Sequence, residues 1–291
     1  MLESDTSRSK VWMLFSQDKE NSAETACNRF TDTFVMGLAE NIQRVQERIA
    51  AACGRVGRDP SGVTLVAVSK AFPPETILEA YRLGLRDFGE NRVEEAGEKI
   101  PNVRLQISKL RVGKSASQLS AIDYPPSALT WHLVGHLQSR KAREAVECFD
   151  AIHSVDSVKL ADKLSRLCVE AGRVIPILLE CNISGEVSKY GFSLAAGADR
   201  DRWWPEVEAM LGLPAVRVEG LMTVAPIVAD ANEARPVFRA LRELRDSLAA
   251  RFPYASWRHL SMGMTDDFEV AIEEGATMVR IGRAIFGERQ A

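Results

Sequence analysis

The sequence predicts a single large α/β domain folded as a closed (β/α)8 TIM barrel. Three observations support this fold class: strand-like and helix-like segments alternate eight times, the alternation fits within about 230 residues, and the composition stays uniform along that stretch. Strands that are joined by crossover helices run parallel, so eight such units can close on themselves. An open doubly wound sheet is the alternative, and it is less favoured because no G-x-G-x-x-G motif follows the first strand.

The first predicted element is an extra helix ahead of the barrel. Its apolar positions recur at helical spacing and form one stripe, made of Leu38, Ile42, Val45 and Ile49. Glycines at 54 and 57 end the helix. The polar residues 1–35 lack any periodicity, so we expect them to be a disordered N-terminal extension, with the barrel domain covering residues 36–291.

Eight strand–helix units follow, and each strand is a short apolar run. The predicted strands are Val63–Ser69, Arg86–Gly89, Trp131–Leu137, Ala151–His153, Val174–Asn182, Val216–Met222, His259–Met262 and Thr277–Ile281. The helical period is clearest after the sixth strand, where Val237, Leu241, Leu244 and Leu248 align. After the second unit, residues 102–130 contain a Pro-Pro pair and several basic residues, and we expect them to form a surface insertion.

The charge balance and the cysteine pattern narrow the class of protein. The net charge is −3, with 37 basic and 40 acidic residues, so no strong field would attract nucleic acid or an anionic membrane. No apolar run approaches the roughly 20 residues that span a bilayer. The five cysteines are scattered without a C-x-x-C pair, which argues against a disulfide framework or a zinc site and favours a cytoplasmic location.

The first barrel strand is followed by a lysine whose position suggests chemistry. The run Leu65–Val68 contains no polar residue, and Lys70 comes two positions later. The alternation of a strand directs Val66, Val68 and Lys70 to the inside, which places Lys70 at the barrel mouth. A surface lysine with its amine in water is the alternative. Desolvation in an apolar mouth disfavours the ammonium form, and a neutral amine can attack an aldehyde to form a Schiff base.

The last two strands are followed by glycine-containing turns that are suited to bind a phosphate. Both turns lie in LSMGMTDDFEVAIEEGATMVRIGRAIFG at 260–287, and barrel enzymes commonly bind phosphate after strands seven and eight. Gly282 permits close backbone approach, Ser261 offers a hydroxyl, and the N–H groups near Arg283 complete an anion site. Ordinary turn chemistry is the alternative. We accept it for Asp266 and Glu269, which we expect to cap the following helix.

A lysine that can trap an aldehyde and a phosphate site in one barrel suggest pyridoxal 5′-phosphate (PLP) as the cofactor. LVAVSK, FGENRVEEA, WHLVGHLQSRKA, IHSVDS, GEVSKYGF, GLMT and the 260–287 segment resemble the pyridoxal phosphate homeostasis proteins of the alanine-racemase-like N-terminal barrel family (the YggS family). The resemblance runs from about residue 38 to 288. It implies a fold type III PLP-binding barrel that holds the cofactor as an internal aldimine and takes part in intracellular PLP homeostasis.

The resemblance also implies roles for single residues. The implied cofactor-binding residues are Lys70, Asn91, Met222, Ser261, Arg280, Gly282 and Arg283. Lys70 would form the Schiff base, and Arg280 would face the pyridine nitrogen. Asn91 and Met222 would line the ring. The family usually has a small hydroxyl residue at position 283, so Arg283 offers its backbone N–H without that hydroxyl.

A PLP carrier and a PLP-dependent amino-acid racemase are both compatible with these residues, and the carrier is favoured. A guanidinium beside the pyridine nitrogen discourages its protonation and weakens the ring as an electron sink. The racemases that the barrel resembles also supply a tyrosine from a further β domain, whereas this sequence ends at Ala291, soon after the eighth unit. A racemase reading would need Tyr190 or His136 as second base. We expect a monomer that exchanges PLP with apo PLP-dependent enzymes; a scaffold without any ligand is a third, less favoured reading.

Overall fold

The computed structural model describes residues 37–112, 129–195 and 200–288. The first helix, α1, covers 37–55, and its apolar stripe is buried as the spacing predicts. It lies against the C-terminal part of the chain, because Asn41 Nδ2 donates to the carbonyl of Ile285 at 3.1 Å and Arg48 pairs with Glu269 at 3.1 Å. The extension predicted at 1–35 and the central part of the insertion predicted at 102–130 lie outside the described residues.

The β-strands in the described ranges form a closed parallel barrel. They are β1 (Thr64–Val68), β2 (Asp87–Glu90), β3 (Thr130–Leu133), β4 (Ala151–Val155), β5 (Ile175–Asn182), β6 (Phe192–Ser193), β7 (Val216–Met222), β8 (His259–Ser261) and β9 (Met278–Ile281). All except β6 follow one another around the barrel in chain order, and β9 pairs with β1 to close it. The predicted (β/α)8 barrel is confirmed. The two-residue β6, which the sequence did not predict, pairs with the end of β5.

Helices follow the strands and surround the barrel. They are α2 (Pro74–Arg82), α3 (Val93–Val112), α4 (Ala142–Cys148), α5 (Val158–Glu170), α6 (Trp204–Leu211), α7 (Arg235–Arg251), α8 (Phe268–Glu273) and α9 (Arg283–Phe286). The start of α5 shows a side-chain cap, since the Ser157 hydroxyl accepts the Leu160 N–H at 3.3 Å. Among the described residues, no helix has the length and apolar character that crossing a membrane requires.

Most of the apolar core lies between the strands and the surrounding helices. Phe88 on β2 and Trp131 on β3 are fully buried there, with ring centroids 5.5 Å apart. The barrel interior holds a separate, much smaller apolar cluster of Leu178, Met222 and Met278. Polar side chains share that interior, and the barrel is therefore lined by groups capable of chemistry.

The helix α3 continues further than the sequence predicts. It runs through Pro101 to Val112, so the surface insertion predicted from residue 102 begins inside this helix. The reason is visible in the burial pattern: Ile100, Val103 and Ile107 are buried on one helical face and carry the apolar stripe past the proline. The packing of this stripe outweighs the hydrogen bond that Pro101 cannot donate.

The third strand is shorter than predicted. The sequence indicates a strand over 131–137, whereas β3 ends at Leu133 and the chain then turns away as a loop. Gly135 makes this turn possible, because a Cβ at that position would lie 2.3 Å from the carbonyl oxygen of Asn91. The loop therefore packs directly on the backbone that follows β2 and brings His136 to the barrel rim.

Candidate cofactor site

The candidate lysine lies just beyond the C-terminal end of β1. Ser69 continues the strand pairing, since its N–H donates to the Gly89 carbonyl at 2.9 Å, and the Ser69 hydroxyl points outward toward α3. Strand alternation then places Lys70 on the inner side, together with Val66 and Val68. Lys70 is half-buried. The prediction that it lies at the barrel mouth agrees with this position.

The residue before Lys70 is fixed by a buried ion pair. Glu90 at the end of β2 accepts a hydrogen bond from the Ser69 hydroxyl at 2.7 Å and pairs with the Lys99 ammonium at 2.9 Å. The same ammonium donates to the Ser69 carbonyl at 3.1 Å. Burial raises the pKa of Glu90, and the Lys99 charge opposes that rise. Two charged groups from β2 and α3 thus hold the backbone on one side of Lys70.

The residue after Lys70 is fixed as well, in an uncommon conformation. Ala71 has a φ of 67°, the left-handed region that an alanine rarely adopts. Its N–H donates to Glu95 Oε1 at 2.6 Å, and the same oxygen accepts from Lys99 at 2.6 Å. Burial would raise the pKa of Glu95, but its bonds to Lys99 and Ala71 lower it on balance. The chain therefore turns sharply at Lys70, and α3 holds the turn.

The predicted anion site lies on the neighbouring strand. β9 pairs with β1, and Gly282 follows β9 directly. A Cβ at Gly282 would lie 3.0 Å from the Val68 carbonyl oxygen, so glycine allows the two strand ends to approach closely. The first N–H groups of α9, beginning at Arg283, have no partners within the helix. The Lys70 amine and the backbone N–H donors near Gly282 therefore follow the ends of two adjacent strands, β1 and β9.

The side chain of Arg283 points away from these donors. Its guanidinium pairs with Asp266 and lies 3.6 Å from Glu288 at the surface. Asp266 therefore does not cap α8, and Glu269 pairs with Arg48 instead of completing a capping box. Both capping expectations were wrong. The carboxylates found other partners because the turn before α8 is closed by Asp267, whose Oδ1 accepts the Met264 N–H at 2.6 Å.

Arg280 on β9 is buried inside the barrel. Its NH1 group donates to the carbonyl and the hydroxyl of Ser261 at 2.6 and 2.7 Å, and its NH2 group donates to the Thr223 carbonyl at 2.8 Å. Desolvation lowers the pKa of Arg280 to about 10, with Asp267 and Glu180 opposing the shift. The guanidinium therefore remains protonated at neutral pH.

Ser261 is the last residue of β8, and its side chain is engaged inside the barrel. It is fully buried, and its hydroxyl oxygen lies between Arg280 NH1 and the His153 Nδ1 atom, 2.9 Å away. His153 is on β4, which does not pair with β8, so this contact crosses the barrel interior. The role of Ser261 as a phosphate donor stays a prediction, and its hydroxyl is already engaged in hydrogen bonds.

The two residues expected to line the ring occupy different layers. Met222 at the end of β7 belongs to the interior apolar cluster and is buried. Asn91 follows β2 directly at the rim and is half-buried. Both lie at C-terminal strand ends, where barrel proteins form their sites. Their contact with a cofactor stays a prediction.

A carboxyl group inside the barrel was not anticipated from the sequence. Glu180 on β5 is 8% exposed, and its Oε2 atom has no hydrogen-bond partner in the described part of the protein. Burial raises its pKa to about 7; Asp156 adds to the rise, and Arg280 opposes it. The signal was present, since a charged residue interrupts the apolar run ILLECN. This carboxyl can exchange a proton near neutral pH.

The two residues considered as second bases lie against each other. The rings of His136 and Tyr190 stack with centroids 3.6 Å apart and an interplanar angle of 10°. His136 Nδ1 is 3.4 Å from Asp156 Oδ2. Tyr190 is 56% exposed at the rim. The described ranges contain no cluster of His, Cys, Asp and Glu that could hold a metal ion.

Comparison with known proteins identifies relatives along nearly the whole chain. The family model described as "Alanine racemase, N-terminal domain" matches residues 37–290. A protein of Aquifex aeolicus named pyridoxal phosphate homeostasis protein is 40% identical over 255 residues, which are 88% of this chain and 100% of that protein. A solved structure titled PipY of Synechococcus elongatus PCC7942 with PLP bound is 35% identical; it covers 86% of this chain and 100% of its own, with a TM-score of 0.66.

Alanine racemases share the fold at much lower identity. A solved alanine racemase of Clostridium difficile 630 is 12% identical with a TM-score of 0.56, and the match covers 88% of this chain. It covers 57% of the racemase chain. At this identity the likeness shows the barrel fold alone.

Proposed function

This chain belongs to the alanine racemase N-terminal domain family, and from that premise we propose that it binds pyridoxal 5′-phosphate and serves in PLP homeostasis. The relatives named pyridoxal phosphate homeostasis protein and the PLP-bound PipY structure support this function. The proposal further assigns the covalent attachment to Lys70. One observation supports the assignment: Lys70 and Gly282 follow the C-terminal ends of β1 and β9, two strands that are hydrogen-bonded to each other.

The residues that are present fit the cofactor. PLP needs a nucleophilic amine for its aldehyde and donors for its phosphate, and the adjacent ends of β1 and β9 offer both. The glycine at 282 keeps the space beside the Val68 carbonyl open, where any side chain would begin 3.0 Å away. Gly282 and the N–H of Arg283 would hold the phosphate at the start of α9.

Bound PLP supplies a reactive aldehyde and a ring that can accept electrons, and the protein determines which property is used. Lys70 would hold the aldehyde carbon covalently. Arg280 would face the pyridine nitrogen, with a guanidinium that remains protonated at neutral pH because its pKa is about 10. A cation at this position disfavours protonation of the nitrogen. Arg280 would thereby keep the ring a weak electron sink, which suits holding the cofactor.

Two further observations favour a carrier over a racemase. A relative that is 40% identical is named pyridoxal phosphate homeostasis protein, whereas the likeness to an alanine racemase, at 12% identity, shows the fold alone. The residues considered as second bases, His136 and Tyr190, stack on each other, which engages both rings. We propose that the protein acts as a monomer in the cytoplasm and exchanges its cofactor with apo PLP-dependent enzymes.

Borohydride reduction followed by peptide mass spectrometry tests the attachment. The full chain is incubated with PLP, reduced, digested and mapped. We expect one pyridoxyl-phosphate adduct, on the peptide that carries Lys70, and loss of the visible absorption band in Lys70→Ala. Lys189→Ala is the matched control, because Lys189 is a partly buried lysine of the rim loop that pairs with Glu186. An adduct at Lys189, or a band that persists in Lys70→Ala, would contradict the assignment.

Isotope exchange separates the carrier from a catalyst. The PLP-loaded protein is incubated with L-alanine in deuterated water, and deuterium at Cα is followed by NMR. We expect no exchange above that of free PLP. Exchange that depends on Tyr190 or His136 would establish the racemase instead.

A further inference from the structure

A continuous chain of buried hydrogen bonds crosses the barrel interior below the candidate site. It begins at Arg280, whose NH1 group donates to the Ser261 hydroxyl at 2.7 Å. The hydroxyl contacts His153 Nδ1 at 2.9 Å, and His153 Nε2 contacts His132 Nδ1 at 2.9 Å. His132 Nε2 lies 3.0 Å from Asp87 Oδ1. Five side chains from β9, β8, β4, β3 and β2 are thus linked.

With both imidazoles neutral, the hydrogen bonds between Arg280 and Asp87 can run in only one direction. A guanidinium only donates hydrogen bonds and an ionised carboxylate only accepts them. A neutral His132 that donates from Nε2 to Asp87 must accept at Nδ1, so His153 carries its hydrogen on Nε2 and donates it to His132. His153 Nδ1 then accepts the hydrogen of the Ser261 hydroxyl, whose oxygen accepts from Arg280. Both imidazoles are neutral in this arrangement, with one defined tautomer each.

The burial of the two histidines agrees with this arrangement. His132 is 3% exposed and His153 is 1% exposed, and their rings meet edge to face with centroids 4.9 Å apart. Burial lowers the pKa of His153 well below its usual value, and the nearby His132 and Arg280 act in the same direction. A second proton on His153 would leave the Ser261 hydroxyl without its acceptor, so burial favours the neutral His153 that this arrangement requires.

The two ends of the chain differ in their access to water. Arg280 is 5% exposed and lies toward the C-terminal strand ends, where the candidate cofactor site is. Asp87 is the first residue of β2, at the opposite end of the barrel, and its side chain is 30% exposed. A positive charge at the site is therefore linked to a negative charge at the far rim through four short contacts.

We propose that Asp87, His132 and His153 are positioning residues for Arg280, which hold Ser261 and the guanidinium in one geometry and transmit the Asp87 charge to the cofactor ring. The proposal rests on the proposed function, since the ring is that of PLP. It also makes Ser261 the link between Arg280 and His153. Other titratable groups that face these residues are Glu180 and Asp267 near Arg280 and His259 near the histidines.

Nitrogen NMR on the PLP-loaded full chain reads the tautomers directly. Long-range nitrogen–proton spectra distinguish an imidazole protonated on Nε2 from one protonated on Nδ1. We expect His132 and His153 both to be neutral and protonated on Nε2. Protonation of either ring on Nδ1, or a charged imidazole at neutral pH, would overturn the proposal. The spectra can also be recorded without PLP. A failure of the proposed function can therefore be distinguished from a failure of the hydrogen-bond arrangement.

An isosteric substitution tests whether the far end acts on the site. Asp87→Asn keeps an acceptor oxygen but removes the charge. We expect changed ring-nitrogen shifts for both histidines and a displacement of the pH midpoint of the cofactor absorption band by about half a unit, roughly threefold in proton affinity. Asp150→Asn is the matched control: this carboxylate precedes β4, is 34% exposed and accepts the Trp131 N–H.

The comparison of the two variants decides the question. Equal effects of Asp87→Asn and Asp150→Asn on the band, or a band that Asp87→Asn leaves unmoved, would refute transmission along the chain. If Asp87→Asn fails to fold, the tautomers of the unmodified chain still test the arrangement.

Discussion

Removal of the Glu95 carboxylate should loosen the turn that presents Lys70. Glu95 Oε1 accepts the N–H of Ala71 at 2.6 Å and pairs with Lys99 at the same distance. Ala71 holds a left-handed φ of 67°, which costs an alanine about 1 kcal/mol relative to its preferred conformations. The carboxylate is the acceptor that compensates for this cost. Glu95→Ala removes both hydrogen bonds while Lys99 keeps Glu90 as a partner.

The size of the effect follows from these contacts. Each hydrogen bond to a charged group contributes about 1.5 to 3 kcal/mol when it is well shielded. The Glu95 side chain is 31% exposed, so water screens part of that energy and the sum for the two bonds is about 2 kcal/mol. If the loss falls on the turn, the population of the ordered turn drops by about 30-fold relative to the loosened one. PLP affinity should fall by a similar factor, because PLP binding must then order the loosened turn.

Two measurements on the same samples test this reasoning. PLP titration followed by absorbance gives the affinity, and urea unfolding of the protein without PLP gives the global stability. We expect a large loss of affinity with a smaller loss of global stability in Glu95→Ala. Glu94→Ala is the control, since this neighbouring carboxylate is exposed and pairs with Lys141. Equal PLP affinities for Glu95→Ala and Glu94→Ala would refute the argument.

Three further predictions concern other parts of the molecule. Gly282→Ala should weaken PLP binding about tenfold, because the new Cβ would lie 3.0 Å from the Val68 carbonyl oxygen. Gly97→Ala on α3 is the control, since a Cβ there meets open space and should leave the affinity unchanged. Equal titration curves for the two variants would count against the anion site. The raised pKa of Glu180, about 7 against 4.5, means that its stabilising effect is present below pH 4.5 and is lost as pH rises through 7. Urea unfolding across this range should therefore show a loss, at most about 3 kcal/mol, that Glu180→Gln abolishes, and an identical pH profile for both proteins would contradict the assignment. Glu274→Ala should lower the free energy of unfolding by about 2 kcal/mol, because three arginines of α7 pair with this buried carboxylate. Glu243 is exposed, so Glu243→Ala should leave the stability unchanged. Similar losses of stability in both variants, measured by thermal or urea unfolding, would disprove this role of Glu274.

The barrel could be predicted because short segments of the sequence are enough to identify each strand and each helix. Each strand is a short apolar run, each helix has a stripe at helical spacing, and the crossover rule then leaves few topologies. The strand ends follow from the same pattern, which is why Lys70 and Gly282 could be placed on neighbouring sides of one mouth. The local sequence pattern predicts the order of the elements more reliably than their lengths, as α3 and β3 both show.

The interior could not be predicted, because it depends on contacts between distant strands. His153 and Ser261 are 108 positions apart in sequence and meet across the barrel. A histidine in a strand is usually satisfied by a nearby partner, and nothing in the sequence distinguishes one that joins a chain through the barrel. The charge of Glu180 within an apolar run was a usable signal, but only the closed barrel places it near Arg280.

The unequal distribution of apolar packing between the two sides of the barrel wall has an evolutionary consequence. The large apolar layer lies outside the strands, beneath the helices, while the lumen contributes the small cluster around Met222 together with Val66 and Val68. A change of an apolar side chain in the lumen therefore disturbs less packing than a change beneath the helices. A scaffold built this way can retain its cofactor while acquiring new chemistry, or lose catalysis and persist as a reservoir.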